Sequence, residues 1–152
     1  MVNGRIYVAP GPKVSTSASA LDLLDGRPQT MNRNLQSRLY SSTDTKARPV
    51  GVTTRCAGQL RFPFVESVVG NTPLQPYVHD CVVTVIDGPR TQRYAVFFKR
   101  HRALPPNELV SRLCYPLTFR GDIVVMRIGS RHGHVVNMRP GDAVVANLII
   151  SE

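Results

Sequence analysis

The chain has 152 residues, enough for one domain and at most an appended arm. Its 42% hydrophobic content excludes a wholly disordered chain, and no apolar run approaches the roughly 18 residues of a membrane span. A net charge of +9 rests on 16 arginines and 3 lysines, and three widely spaced cysteines, Cys56, Cys81 and Cys114, argue against both a disulfide framework and a four-cysteine zinc site.

The opening MVNGRIYVAPGP lacks a charged stretch leading into an apolar one, so the expectation is an intracellular protein, cytoplasmic or nuclear, with free thiols. Residues 1–49 read as a basic, largely irregular arm. Ile6-Tyr7-Val8 is a short apolar run broken by Pro10-Gly11-Pro12, and Ser15 to Ser19 is nearly low in complexity. Two short helices suggest themselves. Ser19 caps Ala20–Asp25, with Gly26 as the stop. Met31, Leu35 and Leu39 recur every four residues, as on one helical face. Such short helices form only by docking on something else. The charge is uneven: residues 1–61 carry a net +6 and residues 62–152 a net +3.

From Val50 to Glu152 the pattern becomes that of a single β-rich domain. Val50–Arg55 predicts a short strand. Arg61–Val69 contains Pro63 and suits an edge strand or an irregular extended segment. Tyr77–Ile86 is dense in β-branched residues, and Asp87-Gly88-Pro89-Arg90 predicts a turn into a second strand, Arg93–Arg100. In that strand Tyr94, Val96 and Phe98 share one face and Ala95, Phe97 and Lys99 the other, so it should be central and covered on both sides.

A helix follows at about residues 106–114. Pro106 or Asn107 opens it, Glu108 and Arg112 suit its dipole, and Leu109, Val110 and Leu113 form its apolar stripe. Tyr115-Pro116 ends it. Three further strands are expected at Asp122–Ile128, His134–Met138 and Ala143–Ile150. The expected class is α+β, mostly β: a curled antiparallel sheet or small barrel of about six or seven strands with one helix. RGDIVVMRI and PGDAVVANL form a weak repeat and predict two equivalent Gly-Asp turns, each entering a core strand.

RYAVFFKRHRALPPN, RGDIVVMRIG and VVNMRPGDAVVANLII resemble segments of small uncharacterised proteins from basidiomycete fungi. The resemblance covers about residues 80–152. It implies a fungal, intracellular origin and transfers no catalytic residue.

The candidate site residues fall into three groups. Cys81, with His79 on the same strand face, is a weak candidate for a thiol nucleophile, which needs an imidazole to hold it as thiolate. His132 and His134 are weak metal candidates: their spacing aligns both rings on a strand, but Arg131 beside them repels a cation and a hairpin tip explains them. Lys99, Arg100, Arg102, Arg120, Arg127, Arg131 and Arg139 are candidates for nucleic-acid or anion binding, provided they share a face. If Arg127 and Arg139 face each other, their like charge needs a counter-anion, or Asp122 or Asp142, to offset it. No phosphate loop, zinc finger or RNA-binding signature is present, so no cofactor is expected.

Three functions follow in order. The first is a non-enzymatic β-rich interaction module, able to self-associate, whose basic arm contacts an acidic partner. The second is a nucleic-acid binder using arginines of the arm and of residues 99–139. The third is a small Cys/His-dependent enzyme. The partners these readings allow are a second copy of the chain, a nucleic acid or an acidic protein, and no membrane.

Overall fold

A computed structural model describes residues 5–10, 32–57, 60–69, 78–129 and 134–152. Among them the chain is mostly β, with short helices, as its composition implies. The strands are β1 (Arg5–Pro10), β2 (Asn32–Tyr40), β3 (Arg48–Ala57), β4 (Leu60–Pro63), β5 (His79–Asp87), β6 (Arg90–Phe98), β7 (Ile123–Ile128) and β8 (Val135–Val136). The helices are α1 (Glu66–Val69), α2 (Glu108–Leu113) and α3 (Asp142–Ser151). No helix among the described residues is long and apolar enough to cross a membrane.

The strands form an antiparallel sheet in the order β1-β5-β6-β7-β2-β3-β4, with β8 added to β7. The sheet is open, with β1 and β4 at its edges, and does not close into a barrel. Pro63 sits on the edge strand β4, where a missing N–H is tolerated. The β5–β6 hairpin forms as its turn residues dictate. Asp87 pairs with Arg90, and Gly88 takes a φ of 56°, the left-handed value its tight turn needs.

β6 lies between β5 and β7 and is covered on both sides. Tyr94 and Val96 belong to one core cluster, with Val83, Val85, Val125 of the neighbouring strands, Val110 of α2 and Ala146 and Ile149 of α3. Ala95 and Phe97 belong to the other, with Leu35, Leu39, Val52, Val124, Met126 and Val135. Each buried aliphatic or aromatic side chain contributes roughly 1.5–3 kcal/mol. The continuous apolar run at the start of β7 therefore ties both layers together.

Three expectations are corrected. First, Leu35 and Leu39 stand on a strand, not a helix. A spacing of four fits both periods, being near one helical turn and also two strand repeats. Long-range pairing decides: β2 bonds to β3 on one edge and to β7 on the other. Second, the boundary at residue 50 moves. β1 and β2 belong to the same sheet as the rest, and β2 is internal, so residues 32–49 are not an irregular arm. The expected helix at 20–25 and the serine-rich stretch lie outside the described residues.

Third, Ala143–Ile150 is helical. Asp142, Ala146, Ile149 and Ile150 are buried, at spacings of 4, 7 and 8, which is one helical stripe. Asp142 Oδ2 accepts the backbone N–H of Arg139, three residues earlier, at 2.6 Å, which fixes how the chain enters the helix. The Gly-Asp pairs are therefore not equivalent. Gly121, with φ at 82°, feeds a strand, whereas Gly141 is in right-handed helical geometry and feeds α3.

Candidate functional site

β2 and β7 pair only over Arg38–Tyr40 and Ile123–Val125, then diverge. The chain's own segment 134–139 fills the gap between them. β8 bonds to Arg127 and Ile128 of β7. On the other side the Met138 N–H donates to Gln36 O at 3.0 Å, and the Gln36 N–H donates to Asn137 Oδ1 at 2.8 Å. The Gly129 N–H donates to His134 O at 2.7 Å, continuing the β7–β8 pairing by one more bond.

This wedge leaves a pocket of about 510 Å³ at the end of the sheet. Its walls carry Arg33 of β2, Arg127 of β7 and Arg139 of the wedge, with the polar side chains of Thr91, Gln92 and Asn137 and, among the described residues, no carboxylate. Arg33 and Arg139 are exposed. Among the described residues no carboxylate pairs with either.

Arg127 is held differently. Its Nη1 donates to both oxygens of Asp142 at 3.2 and 3.1 Å, and Asp142 is 3% exposed. The same carboxylate accepts the Tyr94 hydroxyl at 2.7 Å and the Arg139 N–H. Gln92 Oε1 stands 3.0 Å from that hydroxyl. Burial, reinforced by the carboxylate, holds the Tyr94 phenol well above its usual range. Asp142 thus neutralises and orients one arginine, and two others line the pocket with no carboxylate partner among the described residues. Three guanidinium groups with fixed hydrogen-bonding amides around them suit carboxylate or phosphate oxygens.

The remaining candidates lie elsewhere. Arg100, Arg102 and Arg120 are exposed at the opposite end of β6 and β7. There the loops 99–107 and 114–121 are laced together: Arg120 Nη1 donates to Leu104 O at 3.0 Å, and the Gly121 N–H to Pro105 O at 2.8 Å. Lys99 is only 2% exposed, so it offers little to a partner. Arg131 lies outside the described residues. The basic residues therefore form two groups at the two ends of the sheet, not one continuous face. The offsetting role considered for Asp122 is absent, since it accepts the Ser42 N–H at 2.7 Å.

The other two site ideas gain no geometry. The Cys81 thiol is raised above its usual value by burial and then by the Asp80 charge, the opposite of what a thiolate nucleophile requires. The His79 ring stacks on Phe98 at 5.8 Å. Cys114 donates its thiol proton to Val110 O at 3.0 Å within the α2 turn. No three His, Cys, Asp or Glu side chains converge as metal ligands among the described residues. His134 is half-buried beside β8, and His132 lies outside them.

Arg33, Thr91, Gln92, Asn137 and the Tyr94 hydroxyl carry no local signal in the sequence. Arg33 shows there only as one charge among those of residues 1–61, and the strand pattern around Tyr94 accounts for its ring and not for its hydroxyl. No known protein family, curated protein or solved structure matches this chain.

Proposed function

We propose that this protein is a non-enzymatic β-sheet binding module that holds an acidic partner at the Arg33–Arg127–Arg139 pocket. The observation that carries this reading is the pocket itself: three arginines and, among the described residues, no lining carboxylate, at a place where the sheet splits. One arginine is immobilised by Asp142, so less rotamer entropy is lost when a ligand binds. Self-association belongs to the same reading, and so does an intracellular setting in which Cys81 and Cys114 remain free thiols.

Titrating a labelled polyglutamate at increasing salt tests it. Affinity should fall with salt, and Arg33→Ala and Arg139→Ala should each weaken binding. Binding that is undetectable at low salt, or indifferent to both substitutions, removes the reading. A sedimentation mass of one chain would remove self-association alone.

A second reading has a specific observation behind it. Sequence-independent binding of single-stranded nucleic acid combines charge with exposed rings. Tyr115 is 86% exposed, in the loop between α2 and the exposed Arg120. A labelled oligouridylate tests this surface: Tyr115→Ala should lower affinity roughly tenfold if a base stacks there. An unchanged affinity excludes it.

A further inference from the structure

A second pocket adjoins the first. It measures about 340 Å³ and shares Arg139 as a wall with the arginine pocket. On β2, Arg33 and Leu35 line the first pocket, and Gln36, Ser37 and Arg38, further along the strand, line the second. The far wall of the second pocket is hydrocarbon: Pro49, Met138, Pro140 and Ala143. Its size is within the range of roughly 300–1,000 Å³ in which small ligands and side chains are held.

Arg38 is preorganised for this pocket. Its guanidinium lies over the Tyr40 ring at 5.9 Å, and its Nε is buried with no hydrogen-bond acceptor among the described residues. Part of its water has already been removed by folding, so less hydration is lost when a ligand arrives. Among the described residues no carboxylate pairs with Arg38.

We infer that the two pockets together recognise an extended acidic peptide carrying an apolar side chain next to its carboxylates. The carboxylates lie in the Arg33–Arg127–Arg139 pocket, and the apolar side chain lies against Met138, Pro140 and Ala143, with Arg139 contacting both parts. Peptide chemistry is favoured over nucleic acid by the lining. Among the described residues neither pocket carries an aromatic ring on which a base could stack, and the hydrocarbon wall offers nothing to a sugar or phosphate. An acidic residue alone would leave that wall in water. The inference rests on the anion pocket proposed above and adds the apolar half of the ligand.

The test uses the full chain and three fluorescein-labelled probes: an acidic hexapeptide containing one leucine, the same peptide with serine in its place, and an oligouridylate. Anisotropy should show the leucine peptide binding roughly tenfold tighter than the serine peptide, as burial of one apolar side chain implies. Ala143→Gln should lower the leucine peptide to the serine level and leave the serine peptide unchanged. Arg139→Ala should weaken both. Equal affinity for the two peptides overturns the inference and leaves the anion pocket standing. Tighter binding of the oligouridylate than of either peptide overturns it as well. Absence of salt-sensitive binding by every probe removes the anion pocket itself. The two-peptide comparison on the unaltered chain decides the matter even if Ala143→Gln disturbs folding.

Discussion

The Tyr94 hydroxyl on β6 donates to Oδ1 of Asp142 at the start of α3 at 2.7 Å, across 48 positions of chain. This bond, together with Arg127 on the same carboxylate, pins the last helix to the centre of the sheet. Asp142→Ala should therefore destabilise by roughly 3 kcal/mol or more, because it leaves a half-buried guanidinium and an N–H without their acceptor and the Tyr94 phenol with Gln92 alone. Tyr94→Phe keeps the ion pair and should cost only about 1–2 kcal/mol. Urea unfolding of the two variants checks both, and equal losses would show that the ion pair contributes nothing beyond the hydroxyl bond.

The same pair sets a pH dependence. The Tyr94 phenol is raised above its usual 10.0 by burial and by Asp142, and Tyr40 is raised by burial. A phenol kept protonated in the folded chain but ionised in the unfolded one stabilises fully below pH 10.0. That stability is lost as pH rises further. Denaturation midpoints should thus decline above that pH, and less steeply in Tyr94→Phe. A flat profile there would contradict the burial of these hydroxyls.

The two Gly-Asp pairs differ in a way that single substitutions reveal. At Gly121 φ is 82°, and an added Cβ would stand 2.9 Å from Leu104 Cδ1. Gly121→Ala should destabilise by about 1–3 kcal/mol. Gly141 has helical geometry and open space around it, so Gly141→Ala should be neutral or stabilise by up to about 1 kcal/mol. Thermal melts of the two variants would separate them, and a similar response would mean that the pairs are equivalent turns after all.

Asn107 is fully buried and uses every polar atom of its side chain. Its Oδ1 accepts the Val110 N–H at 3.0 Å, capping α2, and its Nδ2 donates to Tyr40 O at 2.9 Å and to Gly121 O at 2.8 Å. Asn107→Ala removes the cap and strands two buried carbonyls, a loss of roughly 3 kcal/mol. Chemical denaturation measures it, and a change below about 1 kcal/mol would mean water replaces the amide.

Cys81 should react slowly with a mild alkylating agent at neutral pH, since burial and Asp80 keep its thiol protonated. Rapid labelling at this position would reopen the thiol-enzyme reading.

Sequence by itself determined the features that depend on near neighbours. The Gly88 turn, the alternating faces of β6 and the capped helix after Asn107 each follow from residues a few positions apart, which share one local geometry. It also determined that arginine would be the chemistry on offer. Only the tertiary structure decided which period Leu35 and Leu39 would follow, because a spacing of four satisfies strand and helix alike and β3 and β7 had to break the tie. It likewise decided that Ala143–Ile150 would coil. That segment is apolar almost throughout, so its stripe shows only against the core it covers. The site is of the same kind. Arg33, Arg127 and Arg139 stand far apart in the chain, and they converge because β2 parts from β7 and the wedge enters between them.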